Sequence, residues 1–331
     1  MGQLLDGKWV DDATAAFVKA GGAFQRKPSV YRNWITADGS PGPSGVGGFP
    51  AEAGRYHLYI SHACPWANRT LIFRHLKGLT ELITVSVVHP DMLGDGWTFE
   101  TDFDGATGDA LFGLGHLRDV YLKDDPEVTT RVTVPILWDK AQDKIVSNES
   151  SEIIRMFNSA FNHLTGNTDD YWPAEMRGAI EEVNERIYHT LNNGVYRSGF
   201  AGSQEAYDTA VGELFDTMDW LEDRLSTRRY LMGDRLTEAD WRLFVTLVRF
   251  DLVYHLHFKC NRNRVIDFPN LWGYTRELYQ VPGIAELIHF DHIVRHYHFS
   301  HVTINPLQII PINPVIDWME PHGRGAMQSA A

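Results

Sequence analysis

The chain is poor in cysteine, with Cys64 and Cys260 the only two thiols in 331 residues. That rules out a disulfide framework and points to a reducing compartment. No unbroken apolar stretch reaches about 18 residues, so no membrane-spanning helix is expected. Met1 to Gly7 show neither a basic start nor an apolar run. No secretory signal is read there, and a cytoplasmic protein is the expectation. Positive charge is also scarce: 30 Lys and Arg against 43 Asp and Glu give a formal net charge of −13. Such a surface repels nucleic acid unless a strong basic patch compensates. Lys259 to Arg264 is the nearest candidate, but it is short, interleaved with polar residues, and reads as a solvated loop. Low-complexity segments and internal repeats are absent too.

What remains is a globular composition, 44% hydrophobic and 22% charged, in a chain longer than one core usually organises. Residues 1–50 read as an irregular extension, rich in Gly and Pro between Asp38 and Gly48, with Trp9 and Trp34 as packing anchors. A second region, 51–165, carries mixed signals. Tyr56, Leu58 and Ile60 alternate with their neighbours as in a strand, and a helical spacing after Cys64 stops at Gly78. Leu82 to Val88 is a β-branched run, so strand–helix–strand predicts a parallel pair with a right-handed crossover. Asp91 to Glu127 is a long Gly- and Asp-rich loop with a short helix near Leu117 to Leu122, and loops of that length usually serve function. Val132 to Trp138 reads as a strand interrupted by Pro135, and Lys144 to Val146 as another. A helix then starts near Asn148 to Glu152, with Ile153, Phe157 and Phe161 facing inward. The order β-α-β, then β-β-α, is that of a thioredoxin-like domain. From 166 to 331 helical periods dominate, including Met176 to Leu191, Val211 to Leu221, and a capped helix after Thr237-Glu238-Ala239-Asp240. The predicted class is therefore α/β plus all-α.

Cys64-Pro65-Trp66-Ala67 sits where the strand turns into the helix. A cysteine there meets the positive end of the helix dipole and unpaired N–H groups, both of which favour thiolate over thiol. Pro65 suits the first turn because no N–H bond is needed there. Ala67 means that Cys-x-x-Cys is absent, so a mixed disulfide on Cys64 must await a thiol from outside. The competing reading is a small buried hydrophobe, the usual fate of a free cysteine. Val134-Pro135 is placed for the cis proline of thioredoxin-like folds, which leaves the preceding backbone to pair with a peptide-like ligand. Glu149-Ser150 opens a helix, and a helix N-terminus with a hydroxyl is an anion site, although plain capping explains it as well. Taken together, the thiol turn, the Val-Pro segment and the Glu-Ser helix start describe a glutathione site.

These motifs resemble those of glutathione transferases, which join a thioredoxin-like N-terminal domain to a helical C-terminal one. Gly233-Asp234 with Thr237-x-Ala239-Asp240 is similar to that superfamily's helical-domain capping signature. More specifically, the chain resembles the glutathionyl-hydroquinone reductases, or Xi class. The matching stretches are Tyr31 to Thr36, Cys64 to Ala67, Gly96 to Phe99, Asn193 to Ala201, and Arg295-His296-Tyr297 leading to Ser300-His301 and Ile304-Asn305-Pro306. The resemblance implies reduction of glutathionyl-hydroquinones to hydroquinones, with glutathione as co-substrate and no permanently bound cofactor. It implies Cys64 as the thiol that takes up glutathione and Tyr196 as proton donor to the leaving ring. Tyr254 and Tyr297 would donate hydrogen bonds to the thiolate. Trp97, Arg131, Val132, Thr133, Val134, Glu149 and Ser150 would hold glutathione. A homodimer is implied as well. One departure is His298, which follows Tyr297 where the family often has a second tyrosine.

Other readings compete. The same thiol could serve glutaredoxin-like deglutathionylation, or the fold could be a binding protein without turnover. Ordinary transferase conjugation is weaker, because a cysteine would trap glutathione as a disulfide instead of activating it. Metal dependence is prompted by 15 histidines. His289, His292, His296, His298 and His301 crowd one region, and His255, His257 and Cys260 another. His292 and His296, four apart, would share a helix face, yet no His-Glu-x-x-His pattern accompanies them. A polar pocket lining, or pairing with acidic groups, is the expected role for these histidines.

Overall fold

A computed structural model describes residues 2–11 and 21–327. Part of the expected N-terminal extension, residues 12–20, lies outside the described residues. The chain forms two compact units, the first made of described residues 2–11, 27–169 and 287–300, the second of 21–26, 170–286 and 301–327.

The first unit begins with a hairpin, β1 (Gln3–Leu5) and β2 (Lys8–Val10). Asp6 and Gly7 turn it with φ of 47° and 73°, the positive angles of a type I′ turn. Residues 3–10 are thus regular, where the sequence reading expected an irregular extension. Asp-Gly between two short apolar-bearing runs was the available signal. The central sheet holds β3 (Tyr56–Ile60), β4 (Ile83–Val87), β6 (Ile136–Asp139) and β7 (Lys144–Ser147) in the order β4-β3-β6-β7. β5 (Thr130–Arg131) pairs instead with β1 in a separate sheet ordered β2-β1-β5. β3 and β4 run parallel, with α1 (Pro65–Leu76) as the crossover, while β3–β6 and β6–β7 are antiparallel. Every residue of β3 is buried, so side-chain alternation there does not separate a wet face from a dry one. The strand expected from Val132 begins only at Ile136, after Pro135, which has no N–H for a ladder. α2 (Leu117–Asp124) falls in the long loop, and α3 (Ser150–Ser159) packs against α1 and is followed by the single turn of α4 (Asn162–Thr165).

Residues 287–300 belong to this first unit, not to the helical one that holds the rest of the second half. Their helix, α10 (Phe290–Ser300), is locked onto the loop after β4. Arg295 makes a bidentate pair with Asp91 at 2.7 Å through each nitrogen. His296 Nδ1–H donates to the Pro90 carbonyl at 2.8 Å, and the Ser300 hydroxyl accepts from Met92 N–H at 2.9 Å.

The second unit is helical: α5 (Arg177–Ile187), α6 (Gly194–Gly199), α7 (Gln204–Thr227), α8 (Glu238–Arg249) and α9 (Pro269–Tyr279). As the sequence predicts, Asp240 reaches back from α8 and accepts from Thr237 N–H at 2.8 Å. Two π-helical turns, Tyr188–Asn192 and Phe250–Tyr254, interrupt the α-helical periodicity. Among the described residues no helix is long and apolar enough to cross a membrane.

Buried histidines make this fold acid-sensitive. Burial pushes His57 on β3 and His296 on α10 each down to about 4 from the ordinary 6.5, and it lowers His289 and His292 as well. Such groups hold fewer protons folded than unfolded, so stability falls as pH drops below 6.5 and continues to fall until about 4. His57 and His296 should each cost on the order of 2 kcal/mol at pH 5. Urea unfolding at pH 7.5 and pH 5 checks this, and equal or greater stability at pH 5 contradicts it.

Candidate active site

Cys64 is the N-cap of α1, with φ −76° and ψ 121°, and Pro65 is the first helical residue. A thiolate here meets the positive end of the helix, and no acidic residue in the first turn opposes it. The residue is partly exposed, open to a reagent. Its Sγ lies 3.7 Å from the Val134 carbonyl, and the Val134–Pro135 bond is cis. Val132 and Val134 are buried, and the Thr133 carbonyl accepts from the Tyr121 hydroxyl at 3.0 Å, which holds the segment in place. One end of this segment is thereby set beside the thiol. Its other end, Arg131, is set by pairing with Gln3.

Glu149 is the N-cap of α3, and its carboxylate accepts from Ser151 N–H at 3.0 Å. The capping reading of Glu149 is therefore realised. Glu149 also accepts from the Ser29 hydroxyl at 3.0 Å, and the backbone around Tyr31 to Asn33 runs against Val146 to Asn148. Burial raises the Glu149 carboxyl, but the nearby Arg69 charge and the Ser151 and Ser29 hydrogen bonds outweigh it, for a net shift downward. This carboxylate stays ionised at neutral pH.

Arg69 is a residue that sequence reasoning missed. It sits on α1, only 2% exposed, and donates from Nε and Nη2 to Ser150 Oγ at 3.0 and 2.7 Å. Its Nη2 is 3.9 Å from Glu149. The available signal was a charge one turn after Cys64, in a helix whose next residues include Leu71, Ile72 and Phe73. Trp97 lies in the loop after β4, 6% exposed, and stacks on the His296 ring at 4.7 Å with 20° between planes. Tyr297, which follows His296 on α10, is buried.

Tyr196 and Tyr254 belong to the second unit, with ring centroids 6.1 Å apart. Tyr254 ends a π-helical turn and is fully buried, while Tyr196, on α6, is partly exposed. π-helical turns are frequent at functional sites because they re-aim side chains. Arg26, also missed from sequence, donates to Asn193 Oδ1 at 2.9 Å and lies over the Tyr196 ring at 4.9 Å. The second thiol, Cys260, is fully buried, and burial pushes it up to about 12.

The clustered histidines have other employment. His292 and His296 do share a helix, and each donates to a carbonyl, His292 to Asp104 and His296 to Pro90. His257 and His301 meet each other at 3.1 Å. The one cluster of metal-ligand type among the described residues is a different one, His89 with Glu100 and Asp102. There, His89 Nδ1 accepts from Asp91 N–H, which leaves the proton on Nε2, 3.3 Å from Asp102. The tautomer thus suits a hydrogen bond to Asp102, not a cation.

The fold and its thiol turn define a thioredoxin-like domain with a cysteine at a helix start, followed in the chain by a helical domain. Comparison with known proteins agrees. Residues 63–160 match the glutathione S-transferase N-terminal domain family and residues 204–277 the glutathione S-transferase C-terminal domain family. The chain is 57% identical over 324 residues to the glutathionyl-hydroquinone reductase YqjG of Escherichia coli strain K12, covering 98% of each chain. It is 51% identical over 314 residues to the glutathionyl-hydroquinone reductase PcpF of Sphingobium chlorophenolicum, covering 95% of this chain and 96% of that one. The glutathione-bound structure of YqjG superposes with a TM-score of 0.92 at 55% identity, covering 98% of this chain and 99% of that one. A Xi class transferase from Natrialba magadii gives 0.90 at 45% identity, covering 100% and 98%. The chain belongs to the glutathione transferase family, in its Xi-class, glutathionyl-hydroquinone reductase branch.

The two thiols should separate cleanly. Incubation with oxidised glutathione at neutral pH, read by mass spectrometry of peptides, should place one adduct on Cys64 and none on Cys260, since only the thiolate reacts. An adduct on Cys260 in the folded protein contradicts this assignment.

Proposed function

We propose that this protein reduces glutathionyl-hydroquinones to hydroquinones at the expense of glutathione. The Cys64 thiolate attacks the sulfur of the glutathionyl group. The S–S bond forms as the carbon–sulfur bond breaks, and the electron pair leaves with the ring carbon. Tyr196 gives that carbon its proton as general acid. Glutathione then gives up its thiol proton, which restores the Tyr196 phenol, and as thiolate attacks the mixed disulfide, leaves as oxidised glutathione and frees the Cys64 thiolate. The balance is one glutathionyl-hydroquinone and one glutathione to one hydroquinone and one glutathione disulfide.

The observation that carries this reading is Cys64 at the α1 N-cap, 3.7 Å from the carbonyl before a cis proline, with Ala67 where a resolving cysteine would stand. The 57% identity to a glutathionyl-hydroquinone reductase supports the substrate class. Glutathione is assigned to Trp97, the Arg131 to Val134 segment, and the Glu149–Ser150 helix start. Its backbone pairs with Val134, and the α3 N-terminus with Ser150 takes a carboxylate. Glu149 is engaged by Ser151 and Ser29, so its part is to neutralise Arg69 and anchor the helix start. Tyr254 and Tyr297 are assigned as donors to the thiolate. Arg26, over the Tyr196 ring, puts a positive charge beside the phenol that gives up its proton.

A cytoplasmic location is proposed as well, since both cysteines are free and the thiol chemistry needs a supply of reduced glutathione. So is a homodimer. Leu307, Ile309, Ile312 and Val315 stand exposed in a chain segment without regular structure, and a second copy covering them would remove that apolar surface from water. Sedimentation equilibrium should give twice the chain mass; a single-chain mass at micromolar concentration contradicts it.

The activity test is release of hydroquinone from a glutathionyl-hydroquinone on adding glutathione. Cys64→Ala should lose turnover by at least about a thousandfold, and Tyr196→Phe by about a hundredfold. Turnover undiminished in Cys64→Ala removes the proposal. Unchanged turnover in Tyr196→Phe alone removes the proton donor and leaves the thiol chemistry standing.

A further inference from the structure

The N-terminal hairpin touches two of the three segments assigned to glutathione, the Arg131 segment by strand pairing and the Trp97 loop by a side-chain hydrogen bond. β5, which carries Arg131, has no sheet partner except β1 among the described residues. Gln3 stands opposite Arg131 and Leu4 opposite Thr130. The turn of the hairpin is tied to the same segment. Asp6 N–H donates to Thr129 Oγ1 at 2.8 Å, the Thr129 hydroxyl donates to Asp6 Oδ1 at 2.9 Å, and Gly7 N–H donates to the Val128 carbonyl at 3.1 Å.

The other strand grips the Trp97 loop. Trp9, on β2, donates its indole N–H to the Gly94 carbonyl at 3.0 Å. Its ring lies so close to Gly96 that a Cβ there would come within 2.7 Å, and Gly96 also holds φ at +73°. A side chain at position 96 is therefore disfavoured on two independent grounds. Arg118 lies over the Trp9 ring at 5.1 Å and donates to the Asp95 carbonyl, which adds a further tie to the same loop. Trp97 follows immediately and is stacked on His296.

We infer that the hairpin of residues 3–10 is a positioning element for glutathione, holding the Trp97 loop through Trp9 and the Arg131 segment through β1 and its turn. The inference rests on the glutathione-site assignment above. A two-residue strand and an irregular loop do not hold a binding geometry to a fraction of an ångström by themselves, and supporting contacts do it for them. Trp9 has no part in the reaction itself, so its loss should weaken binding and spare the thiol.

The test is calorimetric titration of reduced glutathione into full-length Cys64→Ala protein, alone and combined with Trp9→Phe or Trp9→Ala. Trp9→Ala should weaken glutathione binding about fivefold to tenfold, the factor expected when one modest hydrogen bond and its packing go. Trp9→Phe keeps an aromatic side chain on β2 but loses the N–H and the outer ring edge that meets Gly96, and should fall between parent and Trp9→Ala. In the background that keeps Cys64, iodoacetamide should alkylate the thiol at the same rate with Trp9 intact, with Trp9→Phe and with Trp9→Ala, because that reagent needs no glutathione site. An alkylation rate that changes as much as the affinity overturns the positioning role, since the thiol turn itself is then distorted. Equal glutathione affinity in parent and both folded Trp9 variants overturns it too and leaves the glutathione site intact. A parent that binds no glutathione overturns the site assignment, and the positioning role falls with it.

Discussion

Arg69 is 2% exposed, and a guanidinium held out of water must be neutralised and hydrogen-bonded where it sits. The start of α3 supplies an acceptor in the Ser150 hydroxyl and a counter-charge in the Glu149 carboxylate. Arg69 belongs to the same helix that Cys64 caps. The charge therefore ties the thiol-bearing helix to the helix start proposed to take a carboxylate of glutathione. Removing either partner would leave a buried group uncompensated, which costs more than the pair contributes. The buried charge is thus one polar tie between the start of α3 and the helix that Cys64 caps.

The rest of the first unit follows a similar logic, in which irregular segments are made definite by polar ties to regular ones. The loop after β4 carries Trp97, and it is held by Arg295, His296 and Ser300 of α10 and by Trp9 of the hairpin. The segment before Pro135 is held by Tyr121, and its Arg131 end by β1. The chain thereby brings residues near 9, 97, 131 and 296 to bear on one neighbourhood. His292 and His296, the pair whose spacing raises the question of a metal, are structural donors in this scheme, each committed to a carbonyl.

Much of this was legible in the residues. Local signals reported local structure well: the strand at Tyr56, the thiol turn and its helix, the parallel return at Ile83, the helix start at Glu149, and the capped helix at Thr237. Each is written in a few adjacent residues whose backbone preferences and caps act within a turn or two. The family resemblance was legible too, because its motifs are short and specific. The Asp6–Gly7 hairpin carries a turn signal in the sequence, but its strands are only three residues long, too short for an alternating pattern to declare itself. The strand assigned from Val132 was overextended, because β-branched residues before a proline look alike whether or not they are paired.

By itself, then, the sequence determined the element order, the position of Cys64 at a helix start, and Ala67 where the second cysteine of a Cys-x-x-Cys pair would stand. Those are properties of neighbouring residues, set by backbone preference and by the field of a single helix. Only the tertiary structure decided that Arg69 joins Cys64's helix to Ser150, that residues 287–300 pack with the first unit, and that Trp9 grips the Trp97 loop. These pairings span tens to hundreds of residues. They arise from the demand that every buried polar or charged group find a partner, and no local pattern records which partner that will be.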